Sequence, residues 1–289
     1  MSNPLNKIPE KFLPKKLAVT TKVPETKDCL QCSVERNPLN GNVYLCCATP
    51  TAFLLFQWYE PLTKFLLLKT IDLVKIPQLP LRPFQLLFGN SASYDFPRVC
   101  HGVYKGPHRK QYIFKTVDFN IDAERNVFSF SNFSIDTNGG TLLAPVPHNL
   151  TDSPNNEILE KLERLDVVTM KQLDRDSILV AFPRKVIITN FEGLVKSSRL
   201  SPANFTFPFQ VDSVLPLSDS FLAFHRHGVE GRCFVDGTVT QELVDRNKIY
   251  QLVGSDKLVV LRFRSISKAK PSENSDLCIL SGHEATLAV

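Results

Sequence analysis

Apolar residues recur along the chain in short alternating or continuous runs, each closed by a turn residue, which is the periodicity of β-strands. In the second half, Ser177–Phe182 meets Pro183-Arg184, continues as Lys185–Thr189 and stops at Glu192-Gly193. A second meander takes Val211–Leu217 through Ser218-Asp219 into Phe221–Phe224, then Arg232–Val235 through Asp236-Gly237 into Thr238–Leu243. Asp-Gly fits a two-residue hairpin turn, where both central residues take positive φ. Lys248–Val253, Leu258–Phe263 and Asp276–Leu280 follow.

The first half predicts strands at Asp28–Glu35, Val43–Ala48, Ala52–Trp58 and Lys64–Ile71, with turns at Asn40-Gly41 and Pro61-Leu62. Further strands are predicted at Phe84–Phe88, Val99–Lys105, Gln111–Phe119 and Asn126–Ile135, with a turn at Gly106-Pro107. One stretch departs from this rhythm. Residues 136–152 have a loop composition, and Ser153-Pro154 reads as a helix start followed by Ile158, Leu159, Leu162 and Leu165 on one face. The prediction is a loop and short-helix insertion over 136–165.

Grouped in fours, the strands fall into blocks near 28–71, 84–135, 166–200, 208–244 and 248–280. A four-stranded unit recurring about every 40–45 residues is the signature of a β-propeller. The fold class expected is therefore all-β, a propeller with about five blades present. Composition agrees: 20 Pro among 289 residues interrupt any long helix, and 21 Phe favour strands.

The formal net charge of +5 is modest for this length. Basic residues gather at Lys105–Lys110, Lys196–Arg199, His225–Arg232 and Arg262–Lys270, but acidic residues lie among them. Nucleic acid is therefore not expected as a partner; peripheral contact with an anionic membrane surface stays open. The N-terminus has no continuous apolar core, and no apolar run reaches the length of a membrane span. Seven Cys, an odd number, read as free, buried or partly buried thiols of a cytoplasmic protein. Cys29 and Cys32 have C-x-x-C spacing, and Cys46-Cys47 follow on the next strand. Along a strand such pairs alternate faces, so no metal site is expected.

No local catalytic motif is present: neither G-x-G-x-x-G nor G-x-x-x-x-G-K-[ST], no H-R-D, D-F-G, G-x-S-x-G or H-E-x-x-H. His225-Arg226-His227-Gly228 lacks the aspartate of a kinase catalytic loop and reads as a surface turn. No catalytic residue and no cofactor are expected. Arg226, His227 and Arg232, polar and close to Gly228 and Gly231, are the candidates for a partner-facing loop, with turn formation as the competing reading.

Particular strings carry a resemblance. Trp58-Tyr59-Glu60-Pro61-Leu62-Thr63-Lys64-Phe65-Leu66-Leu67-Leu68-Lys69 resembles a run in the citron homology domain of the mitogen-activated protein kinase kinase kinase kinases, the germinal-centre-kinase group. So do Leu13–Lys27 with Cys29 and Cys32, Gln172–Val180, Leu194–Ser198, Val239–Glu242, Leu252–Leu261 and Ile279–Glu284, in the same order. The resemblance implies a seven-bladed propeller at the C-terminus of a Ser/Thr kinase. Its implied role is regulatory and protein-binding, with small GTPases or signalling adaptors as partners and Jun N-terminal kinase or nutrient signalling as context. A stand-alone scaffold or trafficking adaptor is the alternative. The chain departs from the pattern in three ways: the loop at 136–157 is longer, His225-Arg226 replaces an aromatic–basic pair, and the chain begins partway into the domain. The expectation is thus an N-terminally truncated propeller over 17–289 behind a linker at 1–16.

Overall fold

The computed structural model describes residues 22–73, 80–89, 96–108, 110–121, 162–198, 202–255, 258–266 and 275–280. The linker at 1–16, the strand at Asn126–Ile135 and most of the insertion, 136–161, lie outside them.

Among the described residues, eighteen strands form five antiparallel sheets, each a contiguous stretch of chain. Sheet one contains β1 (Gln31–Arg36), β2 (Val43–Ala48), β3 (Ala52–Tyr59) and β4 (Lys64–Asp72). Sheet two contains β5 (Gln85–Leu87), β6 (Arg98–Lys105) and β7 (Tyr112–Asp118). Sheet three is β8 (Thr169–Gln172), β9 (Ile178–Phe182), β10 (Lys185–Thr189) and β11 (Asn204–Thr206). Sheet four is β12 (Val211–Pro216), β13 (Ser220–His225), β14 (Gly228–Cys233) and β15 (Val239–Val244). Sheet five is β16 (Lys248–Gly254), β17 (Val259–Ser265) and β18 (Asp276–Leu280). Each is a simple meander, the arrangement of propeller blades.

The second strands of sheets three and four are continuous apolar runs because both of their faces are covered. All five residues of β9 and all six of β13 are buried. Outer strands alternate or lie open, as β4 and β15 do. The cores lie between consecutive sheets. Phe53, Leu55 and Ile71 of the first meet Leu86, Val99 and Val117 of the second. Leu87, Val103 and Phe114 meet Val180 and Ile187. Leu179 and Val186, with Phe205, meet Val214 and Phe221. Leu222, Phe224 and Val229 meet Val259 and Leu261. Among the described residues, no core cluster joins the fifth sheet to the first. The free face of sheet one has its own cluster of Leu45, Cys47, Leu54 and Phe56, lined by Val23 and Phe65.

Several predicted boundaries shift. Segment 162–165, expected as the last turn of a helix, runs extended instead. Lys105 N–H donates to the Glu163 carbonyl (3.0 Å) and Leu165 N–H to that of Val103 (2.8 Å). It fills the flank of β6 beyond the short β5 and inserts Leu165 into the core between sheets two and three, which outweighs helical periodicity. β14 begins at Gly228, not Arg232. Gly231 reads as a turn residue, yet an added Cβ there would meet the Thr240 hydroxyl at 2.5 Å, so glycine lets β15 approach. The Asp236-Gly237 turn is a longer loop: Cys233 N–H reaches the Thr238 carbonyl, and Gly237 N–H reaches that of Cys233. Only Gly237 takes positive φ (73°), while Asp236 accepts from the Thr238 N–H (2.9 Å) and hydroxyl (2.7 Å).

β6 carries a bulge between Cys100 and Gly102. It turns His101 against Phe53 of sheet one, ring centroids 5.9 Å apart. Burial, reinforced by the positive charges of Lys115 and Arg164, pushes this imidazole down to about 3.

Candidate functional site

The first strands of consecutive sheets, together with the segments leading into them, surround a cavity of about 450 Å³. Gln31 comes from β1, Gln85 from β5, Thr169 and Lys171 from β8, and Val211 and Asp212 from β12; Arg82 and Asp166 precede β5 and β8. Polar side chains here bind the backbone of the adjoining sheet. The Gln31 amide accepts from Leu81 N–H (3.0 Å) and donates to the Leu81 carbonyl (2.9 Å). Gln172 does the same to Phe88, accepting at 2.8 Å and donating at 3.1 Å. The Thr169 hydroxyl accepts the Val214 N–H (3.1 Å). Each amide thus stands in for a strand neighbour where the ladders end, satisfying peptide groups that would otherwise be desolvated without partners. Lys171 of β8 pairs with Glu35 of β1, joining sheets one and three.

The cavity carries both signs of charge, Arg82 and Lys171 against Asp166 and Asp212. Among the described residues, no three His, Cys, Asp or Glu side chains are placed to hold a metal ion. The seven Cys are free, but Cys29 and Cys32 are exposed, where the sequence predicted buried or partly buried thiols. The chain turns at Asp28 (φ 63°) and β1 starts only at Gln31, so strand alternation does not apply to Cys29. These geometries suit recognition and internal stitching; they assemble no acid–base or nucleophilic set.

Of the predicted residues, Arg226 and His227 form the tight turn between β13 and β14. Arg226 is exposed, and its carbonyl accepts the Tyr250 N–H (2.9 Å). His227 Nδ1 lies 2.8 Å from the Lys248 carbonyl. A carbonyl only accepts, so Nδ1 carries the proton. The turn therefore anchors β16 to sheet four. His225 packs against Phe209 with the rings tilted (centroids 4.2 Å), and burial holds its pKa down. Arg232 lies at the far end of β14, roughly 16 Å along the strand from His227 at about 3.3 Å per residue. It pairs with Glu230 (2.6 Å), donates to the Gly237 carbonyl (3.0 Å) and covers the Phe207 ring at 5.7 Å. The three do not converge.

Two of the basic clusters meet. Lys110 Nζ donates to Ser197 Oγ (3.3 Å), and Val195 N–H to the Lys110 carbonyl (3.1 Å). Acidic neighbours offset them: Lys196 faces Asp176 (3.2 Å) and Lys105 faces Glu163 (3.8 Å). The sequence reading missed Gln31, Thr169, Gln172 and the Glu35–Lys171 pair. The available signal was a polar side chain recurring in the opening strand of successive blocks.

Consecutive three- and four-stranded meanders around a polar axial cavity define a β-propeller domain, of a kind that needs no catalytic constellation. Comparison with known proteins places it further. The CNH domain family model matches residues 1–253, and the chain belongs to that family. It is 39% identical over 282 residues to mitogen-activated protein kinase kinase kinase kinase 3 of Homo sapiens, covering 97% of this chain and 27% of that protein. The Rattus norvegicus protein of the same name gives 39% over 282 residues, 97% and 28%. Among solved structures, the AfRom2 CNH domain superposes with a TM-score of 0.40 at 9% identity, over 86% of this chain and 63% of that one. The chain thus spans about a quarter of the length of the curated relatives it matches. It is a CNH domain and not a kinase catalytic domain.

Proposed function

We propose that this chain is the C-terminal regulatory and protein-binding domain of a Ser/Thr kinase acting upstream in MAP kinase signalling, in the Jun N-terminal kinase or nutrient branch, in the cytoplasm. The observation that carries this is the 39% identity sustained over 97% of the chain to a kinase of that class. The domain itself performs no chemistry in this reading; it recognises a protein through loops at the blade ends and the mouth of the axial cavity. Small GTPases or signalling adaptors are the partners proposed. Arg226, His227 and Arg232 are the proposed partner-facing residues; Arg226, the exposed one, offers a cationic group to an acidic partner surface.

Capture of small GTPases on the immobilised 289-residue chain tests this directly. Retention of the triphosphate-loaded form over the diphosphate-loaded form supports it; equal or no retention of both removes the GTPase-effector reading. A stand-alone CNH scaffold or trafficking adaptor is the second reading. Coding sequence 5′ of Met1 separates the two: a kinase domain there supports the first.

A further inference from the structure

Cys32 of β1 and Cys47 of β2 face each other directly in the ladder of sheet one. Two independent hydrogen bonds fix what kind of pair they are. Asn37 N–H donates to the Asn42 carbonyl (2.7 Å). Bonded pairs alternate with non-bonded ones in an antiparallel ladder, so Ser33 with Cys46 is bonded and Cys32 with Cys47 is not. On the other side, Thr49 N–H donates to the Ala52 carbonyl (2.9 Å). By the same alternation Cys47 exchanges its peptide bonds with Leu54, its partner in β3, and turns them away from Cys32. In such a non-bonded pair the Cα atoms lie about 4.5 Å apart with both side chains on one face. Disulfides span Cα separations of about 4.4–6.8 Å.

A third thiol joins them. Cys29 follows the turn at Asp28; its Sγ donates to the Gln31 carbonyl (3.4 Å), and its thiol helps hold that of Cys47 up. Cys29 and Cys32 are exposed, whereas Cys47 is only 2% exposed. Cys46 points the other way, into the core between sheets one and two.

We propose that Cys32 and Cys47 form an oxidation site, at which a peroxide-class oxidant links β1 to β2 through a disulfide, entering at the exposed Cys32. The Cys32 thiolate attacks the peroxide, whose O–O bond breaks, giving a sulfenic acid and hydroxide. The Cys47 thiolate then attacks the sulfenic sulfur, forming the S–S bond and expelling a second hydroxide. Two thiols and one hydrogen peroxide become one disulfide and two waters; the sulfurs lose two electrons and the peroxide gains them. Burial, then the neighbouring Cys29, raises the Cys32 thiol above its ordinary value, and burial with the adjacent thiols holds Cys47 up at about 12, so both thiolate fractions are small at neutral pH. Both steps are therefore slow there and accelerate as pH rises, the second by up to about tenfold per pH unit below the Cys47 value. The bond imposes no register change, because the strands are already paired. It fastens the innermost strand, which bears Gln31 and Glu35, to the middle of its sheet. A dithiol reductant reverses it.

The test treats the full chain with hydrogen peroxide, blocks remaining thiols, digests with trypsin and reads the linked peptides by tandem mass spectrometry. The expected product joins the peptide Asp28–Arg36 to Asn37–Lys64, with fragment ions placing the bond at Cys32 and Cys47. Cys29→Ser keeps this product; Cys32→Ser and Cys47→Ala abolish it. Cys32 is exposed, so its substitution leaves the fold intact and isolates the chemistry; circular dichroism of each variant verifies this. A Cys29–Cys32 bond within one peptide, a linked product persisting in Cys32→Ser, or a folded chain that forms no intramolecular bond would each overturn the proposal.

Discussion

Sheets four and five both carry apolar residues on their two faces, yet among the described residues one is buried on both faces and the other on one. In β13, Phe221 and Ala223 enter the core with sheet three, and Leu222 and Phe224 enter the core with sheet five. In β18, Cys278 and Leu280 pack toward sheet four, while Leu277 and Ile279 on the opposite face are 69% and 57% exposed. Val253 of β16, at 50%, adds to that outer face. Apolar residues on both faces therefore specify an interior blade, but burial is conferred by the neighbour. Strand patterning makes the sheets; the contacts between consecutive sheets make the cores.

The largest expected effect lies in the doubly covered sheet. Phe221 is fully buried, with Phe205 at 5.0 Å and Phe234 at 5.4 Å between ring centroids. Phe221→Ala should cost about 3–5 kcal/mol, read from the urea midpoint; a loss below about 1 kcal/mol would show that the third and fourth sheets do not depend on each other.

Acid should open the first–second interface next. The folded pKa of His101, about 3, lies below the unfolded value near 6.5. Between those values the unfolded chain binds a proton that the folded chain refuses, so stability is full above pH 6.5 and declines as pH falls. At pH 4.5 this one group accounts for about 2–3 kcal/mol. His101→Leu should flatten the acid limb by that amount; an unchanged slope would place the titration elsewhere.

Smaller effects probe the axial stitches and then the open face. Gln172→Ala leaves the Phe88 peptide without its two side-chain bonds and should cost about 1–2 kcal/mol, with Phe88 N–H exchanging faster. Leu277→Ser and Ile279→Ser should each change stability by less than about 0.5 kcal/mol. A loss comparable to that of Phe221→Ala would mean that the outer face of sheet five is covered in solution.

Much of this was readable from the chain alone. Val43–Ala48, Ala52–Tyr59, Ile178–Phe182 and Lys185–Thr189 are long apolar runs with clear stops, and they fall where predicted. The strands missed, Thr169–Gln172 and Asn204–Thr206, are short and mixed in polarity; they exist because neighbouring ladders and sheets receive them. The axial site was largely illegible. Its bonds join residues 50 and 84 positions apart, from Gln31 to Leu81 and from Gln172 to Phe88. A local pattern does not encode which distant peptide an amide will meet. The Arg226–His227 turn was recognised, but its role as the anchor of β16 depends on Lys248 and Tyr250, residues of the next blade.

The Glu35–Lys171 pair spans 136 residues and skips a sheet. Geometrically it is a chord drawn across a bent row of wedges. Contacts between adjacent wedges leave the bend angle adjustable at every joint, and small errors accumulate around the bend. A chord removes that freedom at one stroke: once its length is set, the curvature of the three wedges it subtends is set too. Partly exposed charges do this with little energy, so salt should loosen the curvature of the first three sheets before it weakens any of them.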